Sequence, residues 1–220
     1  MTMQKVDPTK IQITDFRNIG LEQRFVKYQY SREDMDPVWQ AIDQVKEDQD
    51  NAFDYRKHLV GHIRHEYRLA DTVKKSINAL MAPLIEQYSR FHALPQTLTL
   101  GQVWVNLQNK HEFNPPHTHD GLLSFVMWMK IPYTFAQEDE GNEAKKALSG
   151  RFGFIVPEKD ECKTVYLDSD SKEENTVVLF PAKLMHMVHP YHSTDEQRIT
   201  VSANYYDMHV SRYAKNPDPE

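Results

Sequence analysis

Cysteine is almost absent: Cys162 stands alone among 220 residues. A single thiol rules out an intrachain disulfide and a cysteine-rich zinc site, which suits a reducing cytosol. Any metal in this chain must then be held by nitrogen and oxygen. Excess basic charge is also missing. A formal charge of −6 and a pI near 6.0 argue against a broad basic face for phosphate backbones. Nucleic acid stays open as a substrate but has no support in the charge balance. Long apolar runs are missing too, since the longest, Leu122 to Met129, is interrupted by Ser124 and is far too short for a bilayer. Met1 to Lys10 lacks the charged-then-apolar pattern of a signal peptide. No internal repeat is visible, and the expectation is a soluble cytoplasmic protein without a membrane partner.

What is present is ordinary globular composition, with 40% hydrophobic, 11% aromatic and 26% charged residues. The length predicts a single domain over 1–220. The first part, 1–95, reads as helical support. An extended lead-in from Ile11 to Tyr30 has a mixed pattern. Asp36 followed by Pro37 reads as an N-cap and first helical position for a helix to about Lys46. A second helix is expected from Asp71, with Val73, Ile77, Leu80 and Met81 at helical spacing. Pro83 should kink it or end its first half before Leu84 to His92 resume.

From Thr97 the pattern turns to short β-rich runs: Thr97 to Leu107, Leu122 to Ile131, Phe152 to Val156, Thr164 to Leu167, Thr176 to Phe180 and Ile199 to Tyr205. Such runs predict a β-sandwich or barrel over 96–210. Gln137 to Gly150 is charged and aperiodic, as in a mobile loop near a barrel mouth. Lys215 to Glu220, with Pro217 and Pro219, should fray.

Eleven histidines carry the chemistry. At that frequency a chain holds roughly 0.5 H-x-H pairs by chance, so the pair His117-Thr118-His119 gains weight only from its context. It lies between Phe113-Asn114-Pro115-Pro116 and the apolar run from Leu122. In an extended segment, residues two apart share a face, so both imidazoles can reach one ion. Downstream, Val177-Val178-Leu179-Phe180-Pro181 can bring the chain over a barrel rim and return His186 as a third ligand. Three facial ligands leave the other octahedral positions of Fe(II) open. Arg198 opens the last run and can hold a carboxylate with its cationic fork.

These residues, with Trp104-Val105-Asn106, Leu123-Ser124-Phe125-Val126 and Arg198-Ile199-Thr200, resemble the 2-oxoglutarate/Fe(II) dioxygenase superfamily over roughly Thr97 to Tyr206. The likeness is greater still to prolyl-hydroxylase-like oxygenases often found in tailed bacteriophages. The resemblance implies a mainly β, α+β fold with a double-stranded β-helix (jelly-roll or cupin-like) core, and a host-cytoplasm location if the chain is viral. It implies a hydroxylase that consumes O2 and 2-oxoglutarate, releases succinate and CO2, and oxidises a C–H bond of an unidentified substrate such as a prolyl or other amino-acid side chain. It implies His117 and His186 as iron ligands, and Arg198 with Thr200 as the holder of the distal 2-oxoglutarate carboxylate. Ser124, Asn106 and Asn204 are further candidates for the co-substrate.

The superfamily pattern H-x-D departs here to H-x-H, with Asp120 one residue further on. Strand alternation favours His119 as the third ligand and turns Asp120 away. A turn at Asp120-Gly121 would reverse that choice and make Asp120 the ligand. In the outward position Asp120 can instead accept a bond from a ligand imidazole. Three imidazoles would leave the Fe(II) centre at +2, which favours an anionic co-substrate more than the +1 of two histidines and a carboxylate.

Two rivals stand beside this reading: a cupin-like three-histidine iron dioxygenase that does not use 2-oxoglutarate, and a non-catalytic barrel module of a phage. Arg198 discriminates against the first, because that chemistry does not require it. Trp104, Trp128 and Tyr205 are expected in core or pocket wall. His58, His62 and His65 fit one helical face. However, Leu69 stands where a zinc-protease helix would need histidine, so packing roles are expected. His111, His189 and His192 read as loop histidines.

Overall fold

A computed structural model describes residues 6–15, 24–47, 53–95, 97–158 and 160–207. The tail from Lys215 lies outside them. Its elements in chain order are β1 (Gln12–Asp15), β2 (Arg24–Gln29), α1 (Asp36–Lys46), β3 (Glu66–Arg68), α2 (Lys74–Ser89), β4 (Leu98–Gln108) and β5 (Asn114–His117). There follow β6 (Leu123–Lys130), α3 (Phe135–Asp139), β7 (Phe152–Glu158), β8 (Glu161–Leu167), β9 (Thr176–Pro181), β10 (His186–Val188) and β11 (Arg198–Asp207). Two antiparallel sheets result. The larger has the order β1-β2-β9-β6-β11-β4-β3 and the smaller β5-β10-β7-β8.

Period-two alternation in the central strands decides what each face covers. On β6 and β9, Phe125, Met127, Val177 and Leu179 point to the side where Val38, Ile42, Ile77 and Leu84 of the two long helices complete the core. Their neighbours Val126, Trp128, Val178 and Phe180 point the other way, onto Phe152 and Phe154 of the smaller sheet. Each central strand is therefore buried on both faces and reads as a continuous apolar run. This is the double-stranded β-helix expected from the sequence, mainly β with supporting helices.

The first 95 residues are less helical than expected. They supply β1, β2 and β3 to the larger sheet as well as α1 and α2. β1 and β2 fall in the lead-in whose pattern was mixed, because edge strands need not keep a strict apolar face. Asp36 is already inside α1, and its carboxylate pairs with Arg32 at 2.6 Å instead of capping the helix. Nor does Pro83 divide α2, which is assigned as one helix from Lys74 to Ser89. Ile77, Leu80, Leu84 and Tyr88 are buried on both sides of it, so packing holds the helix through the lost hydrogen bond.

The charged segment Gln137 to Gly150, expected as a mobile loop, is anchored at its two ends, with an exposed, irregular middle. α3 begins in a reciprocal capping box between Thr134 and Gln137. Glu138 is 1% exposed and accepts hydrogen bonds from the Ser149 hydroxyl and from the backbone N–H groups of His192 (3.0 Å) and Ser193 (2.9 Å). Burial alone would push its carboxyl up, but those donors outweigh it and hold the group below its usual range. Truncation to Glu138→Ala strands these donors and should cost about 3 kcal/mol. Thermal unfolding should then shift down by roughly 6–12 °C, and a shift within about 1 °C would show that the segment is not pinned there.

Among the described residues no helix is long and apolar enough to cross a membrane.

Candidate metal centre

β5 and β10 are short, and their pairing builds the site. His117 ends β5, His186 begins β10, and the two are directly paired in register. His119 follows two residues after His117, and its backbone N–H is held by the Ala182 carbonyl at 2.8 Å. The stretch Phe180-Pro181 closes β9, and the Leu184 N–H turns back onto the Pro181 carbonyl at 2.9 Å, which brings His186 in beside the other two.

The three rings converge. Their centroids are 4.3 Å apart for His117 and His186, and 4.9 Å for each of the other pairs. One nitrogen from each lies within 4.8 Å of the others. Backbone carbonyls set the ring orientations: His117 Nδ1 meets the Pro115 carbonyl at 2.7 Å, and His186 Nδ1 meets that of Leu184 at 2.9 Å. A carbonyl can only accept, so both rings carry their proton on Nδ1 and leave the Nε2 lone pair free for a metal. His119 Nε2 is 3.2 Å from His186 Nε2. Two nitrogens in adjacent octahedral positions at ~2.1 Å from an ion would be ~3.0 Å apart, so the spacing fits one shared metal.

Burial also keeps the rings neutral, the form a metal needs. His186 is enclosed by Phe152, Phe154 and Phe180, and burial followed by the fields of His117 and His119 drives its basicity well below the usual range. Burial and the His117 field bring His119 down to about 4, and burial lowers His117. Asp120 stands apart from this group, with an 87% exposed side chain paired to Lys183 at 3.2 Å.

The three histidines line a cavity whose wall includes Trp104, Trp128, Asn106, Arg198 and Thr200. Arg198 is 3% exposed. Its Nε and Nη2 donate to Gln108 Oε1, and its Nη1 donates to the Tyr133 hydroxyl (2.7 Å) and the Gly150 carbonyl (3.1 Å). These contacts occupy four of the five guanidinium donors, and all the acceptors are neutral. Among the described residues no carboxylate pairs with it. A buried cation without a counter-ion is costly, so this corner of the cavity favours an anion.

Residues 102–204 match the family model described as "Putative 2OG-Fe(II) oxygenase". Over this stretch the chain is similar to the 2-oxoglutarate/Fe(II) oxygenases. No curated protein sequence matches it. Among solved structures, a prolyl hydroxylase from Trichoplax adhaerens, in complex with a hypoxia inducible factor peptide fragment, aligns with a TM-score of 0.57 at 13% identity, covering 91% of this chain and 90% of that one. A Pseudomonas putida prolyl-4-hydroxylase aligns at 0.55 and 10%, covering 83% and 92%. A viral collagen prolyl hydroxylase from Paramecium Bursaria Chlorella virus-1, in a 2-oxoglutarate complex, aligns at 0.51 and 13%, covering 83% and 96%. These likenesses concern the fold. Enzymes of that family take Fe(II), 2-oxoglutarate and O2, and the three-imidazole group of this chain, with an arginine that meets no carboxylate among the described residues, suits a cation and a dicarboxylate.

The remaining candidates fall in different places in the fold. Asn106 lines the cavity, with its amide nitrogen 3.5 Å from Thr200 Oγ1. Ser124 and Asn204 are opposite each other on β6 and β11 and bond to one another at 2.6 Å; neither lines the cavity. Tyr205 is core and donates to Asn78. His58, His62 and His65 share no helix. They pack on Tyr55, Phe113 and Tyr67 respectively. His189 faces the Tyr166 hydroxyl at 3.4 Å, and His192 lies 2.9 Å from Glu138. The backbone N–H of His111 bonds to the Tyr191 carbonyl.

Sequence reasoning missed Gln108, which holds Arg198, and Glu66, which is 3% exposed on the cavity wall. Alternation back from Thr200 across the β11–β4 pair would have found Gln108. Nothing in the charged stretch around His65 signals Glu66. Burial first, then the field of Glu112, raises its carboxyl to about 8, while Arg56 pulls weakly the other way. The folded state thus keeps a proton that the unfolded chain loses in the ordinary carboxyl range, so stability falls as pH rises between those limits. Relative to Glu66→Gln, the wild type should lose melting temperature from about pH 5 to about pH 8 and then level off. A constant gap in a pH series of thermal melts would contradict the buried proton.

Proposed function

We propose that this protein is a 2-oxoglutarate/Fe(II) oxygenase that hydroxylates a C–H bond of a primary substrate, with a prolyl or other amino-acid side chain as the substrate class. Succinate and CO2 are the co-products. His117, His119 and His186 hold the iron, and Arg198 with the Thr200 hydroxyl holds the distal carboxylate of 2-oxoglutarate. In this reading residues 1–95 support a catalytic core at 96–210 within one cytoplasmic domain. Held by these residues, Fe(II) and 2-oxoglutarate would supply O2-dependent hydroxylation chemistry, one oxygen atom of O2 going to succinate with loss of CO2 and the other to the substrate.

The observation that carries the proposal is the pairing, in one cavity, of three neutral imidazoles with a buried guanidinium that lacks a counter-ion. The chain's own contribution is positional. Carbonyl-locked imidazoles keep their lone pairs on one point, and the fifth N–H of Arg198 with the Thr200 hydroxyl orients the co-substrate. Aromatic side chains around His186 exclude water. A cupin-like dioxygenase that does without 2-oxoglutarate has no use for Arg198 at that place, and a non-catalytic module has none for the metal.

The test is to add Fe(II) and 2-oxoglutarate without oxygen, look for the visible metal-to-ligand charge-transfer band, then admit oxygen and measure succinate. A band followed by succinate is expected. Iron binding without the band favours the cupin-like chemistry, and absence of both favours the non-catalytic module.

A further inference from the structure

The wall of the cavity formed by β3 and β4 holds two polar atoms that no group among the described residues satisfies. Glu66 and Asn106 are paired across the two strands and share a face. Both line the cavity. Glu66 is 3% exposed, yet among the described residues its Oε1 has no hydrogen-bond partner, and neither has Asn106 Oδ1. The Asn106 amide nitrogen is the end that meets Thr200. The two groups are thus left side by side, and once Glu66 gives up its proton, to an arriving base or on arrival of a cation, both oxygens can only accept. Buried acceptors of this kind are rare and call for an explanation.

The charge around them narrows the answer. Glu112 and Asp54 add negative field at Glu66, and Arg56, the cation whose field reaches it, is already committed to Asp54 at 2.6 Å. Among the described residues no cation pairs with Glu66. Leu59 and Val60 also line the cavity, an apolar surface that suits an aliphatic stem. Arg198, of opposite charge, lines the same cavity, so its side of the wall suits an anion and the β3–β4 pair Glu66 and Asn106 suits N–H donors.

We propose that Glu66 and Asn106 form the primary-substrate subsite, and that it receives a cationic N–H group, ammonium or guanidinium, at the end of an aliphatic chain. This rests on the oxygenase reading above, with the substrate a basic amino-acid side chain. The incoming cation supplies the donors both oxygens lack and offsets the carboxylate it meets, which an uncharged chain of the same shape cannot do. Its stem lies against Leu59 and Val60, and the chain then extends toward the three histidines.

The test uses the anaerobic Fe(II)–2-oxoglutarate protein and calorimetric titration with four probes. N-acetyl-lysine amide and N-acetyl-arginine amide are compared with their uncharged counterparts, N-acetyl-norleucine amide and N-acetyl-citrulline amide. At least one cationic probe is expected to bind ~10-fold or more tightly than its counterpart, and Glu66→Gln should reduce that preference to less than ~3-fold while keeping the charge-transfer band. Equal binding of charged and uncharged probes, no binding of any, or a preference that survives Glu66→Gln would overturn the subsite. The band separates the two ideas: its absence in the wild type sinks the oxygenase assignment, and its presence without charge preference sinks the subsite alone.

Discussion

His186→Ala should lower Fe(II) affinity by more than about 100-fold and abolish succinate formation, because even groups that merely support a metal ligand are worth 10- to 100-fold. The substitution removes one of three proposed ligands and leaves a pair on a single short stretch of chain, His117 and His119. It also empties a space walled by Phe152, Phe154 and Phe180. Loss of a buried ring costs stability on its own, so far-ultraviolet circular dichroism must show a folded chain before the binding isotherm is read. His186→Gln keeps most of the volume and one donor, and should bind iron as poorly as the alanine variant. Wild-type affinity in either variant would remove His186 from the centre.

Arg198→Ala should weaken 2-oxoglutarate binding by about 2–5 kcal/mol, or 30-fold and upward, while Fe(II) binding without co-substrate changes little. The split between the two ligands is the informative part. Arg198 also ties β11 to Gln108 on β4 and to the segment ending at Gly150, so a purely structural role would damage both affinities together. Arg198→Lys keeps the charge but cannot span Gln108, Tyr133 and a carboxylate at once. It should fall between wild type and alanine. A 2-oxoglutarate affinity unchanged in Arg198→Ala would contradict the anion-binding corner.

The parts legible in the sequence were those with long repeating patterns. Strands such as β4, β6 and β11 carry seven or more residues of apolar or alternating character, and their limits were read to within one or two positions at most ends. β5 and β10 were not recognised as strands. Asn114-Pro115-Pro116-His117 contains two prolines, which argue against a strand interior, and three residues of β10 are too few to show alternation. The histidines were nevertheless found, since the H-x-H spacing and the turn after Phe180-Pro181 are local. The convergence of His117 with His186 depends on β5–β10 register, a long-range fact that no local pattern contains. Ser124 and Asn204 show the converse. Polar residues on inward faces looked like co-substrate contacts, but register set them opposite one another, where each satisfies the other.

The central claim is that one iron sits among three imidazoles, and a crystal structure of the Mn(II)–2-oxoglutarate complex tests it directly through the anomalous signal of the metal. A single strong peak is expected within ~2.3 Å of a ring nitrogen of each of His117, His119 and His186, with 2-oxoglutarate reaching toward Arg198. A peak coordinated by Asp120 in place of His119, or one lying beyond bonding reach of His186, would contradict it.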